Sequence, residues 1–164
     1  MSRWLLLGVL FTLAAPAQRL ADDRPVQMRS TGGLEIDLEK KVGRARGDVV
    51  IEREDVVVCC DEAEAKYSEQ RIERVTCRGD VVIVRPDGTM ARADVAVFVA
   101  ERDAVTLFGK AKVYAPDAML SGDRIVYDIG RDKLSVEGKG SRFSFEPKGK
   151  KAPSLRACPP EPRP

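Results

Sequence analysis

Four cysteines (Cys59, Cys60, Cys77 and Cys158) and a complete absence of histidine frame what chemistry this chain can do. Without histidine, the usual general base, the usual triad member and a common zinc ligand are all missing. The cysteine spacing lacks the paired C-x-x-C of a zinc site. Asp94 and Asp123 hold matching places in two similar segments, "ADVAVF" and "GDRIVY". A carboxylate pair could do acid–base work, but one acid per segment at strand bends is better read as bonding nearby amides. The Gly32-Gly33 pair is too little to cradle a phosphate. No catalytic residue, no metal site and no cofactor is therefore expected, and the protein is not read as an enzyme.

The N-terminus bears on how the cysteines are kept. Arg3 is followed by an apolar run, Trp4–Ala15, and then by Ala15-Pro16-Ala17, which places small residues where a signal peptidase reads them. Residues 1–17 are read as a cleavable secretory signal, too short to span a bilayer comfortably. The expected location is the bacterial periplasm, where an even cysteine count invites disulfides. The pairing stays open. If the hairpin after Tyr67 follows its neighbours, Tyr67 faces Val75 and Cys77 faces Ala65, leaving Cys59 roughly 20 Å away, beyond disulfide reach. A reduced, buried Cys77 is the alternative.

About 147 residues then remain, enough for one domain with a core. Charged residues make up 33% with a net charge of +2, which leaves no nucleic-acid footprint. From residue 148 the chain turns basic and proline-rich, so 148–164 is expected to be a disordered tail and 26–147 the folded domain.

What would position any site is a repeat. "GDVVI" occurs at Gly47–Ile51 and again at Gly79–Ile83. Gly47, Gly79, Gly109 and Gly138 fall 32, 30 and 29 residues apart. Around them apolar and polar residues alternate, as in strands with one buried face. Between them recur elements ending in Tyr67, Phe98 and Tyr127, separated by turn-like links such as Pro86–Gly88. No segment shows a sustained helical period. A glycine at a fixed place in each unit marks a corner within a long strand or a close backbone approach, and a period near 30 indicates units that stack to bury a shared face. The fold class is all-β.

The apolar stripe runs through Val49, Ile51, Tyr67, Val75, Val81, Ile83, Phe98, Val105, Leu107, Val113, Ile125, Tyr127, Leu134 and Val136. A seam of branched aliphatics with few aromatics suits acyl chains, which ask for apolar area rather than hydrogen bonds. The same stripe is equally the core of a periplasmic or surface β-repeat scaffold that holds no lipid.

The tandem units "RGDVVIV…ARADVAVFVAERDAVTLFGKAKVY" and "LSGDRIVYDIGRDKLSVEG" resemble the OstA-like family of lipopolysaccharide-transport proteins over about Leu34–Phe145. Ala63 stands where Asp94 and Asp123 recur, so the first unit departs from the pattern. The resemblance implies an open β-jellyroll whose apolar trough takes the acyl chains of lipopolysaccharide. It implies head-to-tail self-association and a bridge from the inner-membrane exporter complex to the outer-membrane translocon. An exporter-associated member of the family would instead keep an N-terminal anchor. The edges expected to dock partners are Leu34, Ile36 and Leu38 at one end and Phe143 and Phe145 at the other. The competing expectation is that Val26–Ser30 covers the first edge and the lysine-proline tail the second.

Overall fold

A computed structural model of the chain describes residues 26–53, 56–69 and 71–145. The expected leader at 1–17 and tail at 148–164 lie outside the described residues. The described residues form ten strands in one antiparallel sheet. They are β1 (Gln27–Arg29), β2 (Leu34–Asp37), β3 (Val42–Arg53), β4 (Val56–Ser68) and β5 (Arg71–Val84), then β6 (Met90–Val99), β7 (Ala104–Tyr114), β8 (Ala118–Asp128), β9 (Lys133–Glu137) and β10 (Arg142–Phe145). A 3-10 turn at Ala100–Arg102 is the one helical element among the described residues.

β3 to β8 are long strands, each paired with the next. The ends are built from halves. β1 and β2 both pair with β3, opposite Val50–Glu52 and Val42–Ala45, and β9 and β10 divide β8 in the same way. The result is an open stack of hairpins.

Each long strand bends near its middle. The register shifts between Arg46 and Val49, Cys59 and Glu62, Arg78 and Val81, Arg92 and Val95, and Phe108 and Ala111. These irregularities line up across the sheet as a crease, at the repeated glycines. A bulge bends its strand and increases local twist. Gly109 shows why glycine is needed. Its φ is +73°, and a methyl group there would come within 2.9 Å of the Asp94 Cβ. Asp61 packs in the same way against Gly79, and Asp123 against Gly138. The acid that recurs with Asp94 and Asp123 is thus Asp61, which corrects the alignment that put Ala63 in that place.

The crease folds the sheet onto its own apolar face. One cluster unites Val49 and Ile51 of β3, Val81 of β5, Leu107 and Val113 of β7 and Ile125 of β8, on both sides of the crease. Ile125, Val49 and Val81 have no exposed surface.

The crease predicts a contrast between two glycines. Gly88 has a φ of +83° but nothing within 4 Å of an added methyl. Gly88→Ala should cost only the backbone strain, about 1–2 kcal/mol. Gly109→Ala should cost that plus overpacking against Asp94, about 2–5 kcal/mol in all. Urea denaturation measures both, and equal losses would contradict a crease packed on the aspartate.

Candidate functional site

The interior is made of small and branched side chains. Alternation sends every second residue inward, and opposite residues of antiparallel neighbours share a face. Of the stripe read from the sequence, Val49, Ile51, Val81, Leu107, Val113 and Ile125 are buried in the cluster. Val75, Ile83, Val105, Leu134 and Val136 pack against it, half-buried. Tyr67, Phe98 and Tyr127 are half-buried near the strand ends, so the aromatics stand at the margin of the folded sheet. The reading of the stripe from its large residues missed Ala45, Ala63, Ala91 and Ala93, all of them buried in the interior, where Ala96 and Ala111 also lie as their alternation implies. Alanine at alternate positions in matching segments was the available signal. These short side chains let the two halves approach across the crease.

The hairpin of β4 and β5 departs from those of β6–β7 and β8–β9. Ser68 pairs directly with Arg71, whereas four residues separate Val99 from Ala104 and Asp128 from Lys133. A second irregularity falls between Lys66 and Tyr67. Tyr67 therefore faces Ile72, while Ala65 faces Val75 and Ala63 faces Cys77. The expected register, with Tyr67 opposite Val75, is corrected by this tighter turn.

That register brings two thiols together. Cys60 and Cys77 are both free and buried, within hydrogen-bonding contact of each other in the interior. The Cys60 thiol also lies 3.2 Å from the Glu62 carbonyl oxygen, to which it can donate. The hydrogen bond with Cys60, followed by burial, pushes the Cys77 thiol far above its ordinary range. Cys59 points the other way and is disulfide-bonded. Cys158 lies outside the described residues. A buried, protonated thiol is a poor nucleophile, so the pair is packing material rather than a reaction centre. Among the described residues, no group of three or more acidic or cysteine side chains is arranged to hold a metal ion.

The apolar face does not stop at the packed interior. Leu34 pairs with the interior Ala45 and Ile36 with Gly43, so β2 carries that face to the first edge. Phe143 pairs with Leu120, which packs on the interior, and carries it to the last edge. At these edges the side chains are bare. Leu34 is 52% exposed, Ile36 55%, Leu38 78%, Phe143 66% and Phe145 70%. β1 pairs with β3 and not with β2, so Val26–Ser30 does not cover β2.

Residues 32–133 match the model of a family described as the LptA/(LptD N-terminal domain) LPS transport protein. The chain belongs to that family. The LptA/LptD N-terminal fold is also seen in a solved relative. This is LptH of Pseudomonas aeruginosa, described as the LptA homologous periplasmic component of the conserved lipopolysaccharide transport device. The match has a TM-score of 0.66 and 21% identity, covering 77% of this chain and 96% of that one. No curated protein matches the sequence significantly. Among the described residues, no helix is long and apolar enough to cross a membrane.

The thiol pair carries a pH signature. Below about pH 8.5 the folded and unfolded chains both keep the Cys77 proton, and its contribution to stability is constant. Above that, the unfolded chain releases the proton and the folded chain does not. Stability should then fall by up to about 1.4 kcal/mol per pH unit. Cys77→Ala should lack this component of the slope in urea titrations between pH 7 and 10. Native protein should resist a thiol reagent that counts two thiols after denaturation; rapid native labelling would contradict the burial.

Proposed function

We propose that the protein is the LptA-like bridging member of its family. It takes the acyl chains of lipopolysaccharide against the apolar face of the creased sheet and passes them along the periplasm toward the outer membrane. The observation that carries this reading is the run of interior-facing apolar side chains out to both open edges, where Leu34, Ile36, Phe143 and Phe145 stand exposed. A sheet that ended its own core would cap such edges with charge or cover them. Here the N-terminal edge of one copy and the C-terminal edge of the next offer matching faces, and backbone that pairs with no further strand among the described residues. Strand addition supplies main-chain hydrogen bonds while side chains set the register. Such a heterologous contact need not close, so it builds a filament along which the apolar face is continuous. Its end copies would meet the inner-membrane exporter complex and the outer-membrane translocon. The likeness to LptH, itself described as a periplasmic component of the transport device, supports the same reading.

The rival, a β-repeat scaffold without ligand, needs the edges for association but not the interior for lipid. One experiment separates the two. A photoactivatable benzoylphenylalanine replaces Phe98 at the margin of the interior, Phe143 at the C-terminal edge or the exposed Lys110 on the outside. Irradiation in cells should attach lipopolysaccharide at position 98, another protein chain at position 143, and neither at position 110. Equal lipid labelling at 98 and 110 would leave the scaffold standing. Absence of protein adducts at 143 would remove the edge as a docking surface.

A further inference from the structure

One contact shows where the creased sheet meets itself. Tyr127 faces Val105, Val105 faces Phe98, and Phe98 faces Val75, so Tyr127 lies level with Val75 across the sheet. Arg85 follows β5 and lies ten residues beyond Val75. In a flat sheet that is roughly 33 Å along the strand. Yet Arg85 Nη1 donates a hydrogen bond of 2.7 Å to the Tyr127 hydroxyl, which donates one of 2.7 Å to Asp132 Oδ1. The Arg85 guanidinium also stands over the Tyr127 ring, 5.5 Å from its centre. The three residues come from opposite margins: Arg85 from the turn after β5, Tyr127 and Asp132 from the end of β8 and the turn after it. The contact spans the mouth of the fold.

Behind the mouth the interior is packed. Ile125, two residues inward of Tyr127 on the same face, is fully buried, as is Val81 in the half that carries Arg85. An acyl chain reaching that face from the side must part the two margins, and parting them breaks the Arg85–Tyr127–Asp132 chain. The bond is well suited to be broken and remade. It is half-exposed, it joins the turn after β5 to the last residues of β8, and Arg85 has an anion, Asp87, 3.6 Å away within its own turn to hold it when the margins separate.

We infer that Arg85, Tyr127 and Asp132 form a latch across a lateral seam, through which acyl chains enter the interior from the side. This rests on the lipid-carrier reading for its ligand and on the contact itself for the latch. The latch makes side loading slower than it would be across an open margin, and it keeps the apolar face shut between loads.

The test uses the full chain and two variants that remove the Arg85 donor, Arg85→Ala and Arg85→Met, with neither altering a residue of the packed interior. Hydrogen–deuterium exchange is followed without ligand. Stopped-flow fluorescence then follows uptake of dansyl-undecanoic acid, an acyl-chain probe. Loss of a hydrogen bond to a charged group should raise exchange about tenfold or more in segments 85–90 and 127–133 in both variants, leaving β3 and β4 unchanged. Probe association should accelerate by a similar factor with the same final amplitude. Unchanged exchange at the margins, or a rise spread over the whole sheet, would overturn the latch. Faster exchange with unchanged probe association would overturn its role in entry. If the probe binds none of the three proteins, side entry fails together with the lipid reading, and the exchange pattern still decides whether the latch exists.

Discussion

The described residues form a single sheet with an apolar inner face and no helical layer, and such a sheet can hide that face only against itself. Everything else in this molecule depends on that constraint. The sheet must bend sharply without ending its strands, and it does so through a line of bulges at which Gly79 and Gly109 lie against the side chains of Asp61 and Asp94, while Gly138, between β9 and β10, lies against Asp123 in the same way. The aspartates suggested an acid–base pair by type. By position they are the packing partners of the crease. Interior alanines complete the arrangement, since longer residues at Ala63, Ala93 or Ala111 would hold the two halves apart.

The same constraint explains the exposed edges. Stacked hairpins bury each unit's face against its neighbours and its own second half, but the first and last units have a neighbour on one side only. β2 and β10 therefore carry interior side chains into solvent. In a closed barrel those groups would meet each other. In this open stack they do not.

Much of the fold was legible because its signals are periodic. The glycines at 47, 79 and 109 announced corners inside long strands, and β3, β5 and β7 run through them as read. The last one, Gly138, instead separates β9 from β10. The larger aliphatic residues of the interior were legible from alternation. What was misread lies where the period is broken. The hairpin between β4 and β5 turns more tightly than those of β6–β7 and β8–β9, which hid both the equivalence of Asp61 and the meeting of Cys60 with Cys77. The Arg85–Tyr127 contact has no periodic signal at all, because it exists only once the sheet has folded over.

The central claim is that this creased apolar interior is a lipid site and not merely a core. A core of this kind holds its shape with nothing bound, whereas a carrier takes ligand in defined proportion. Native mass spectrometry of the protein, mixed with purified lipopolysaccharide bearing a truncated sugar core, measures that proportion directly. A lipid site should give a discrete adduct of one lipid per chain, lost when the interior Ile125 is replaced by a charged residue in a variant that still shows β structure by circular dichroism. A protein that remains lipid-free, or that binds lipid in the same graded, unsaturable way with and without that substitution, would contradict that claim.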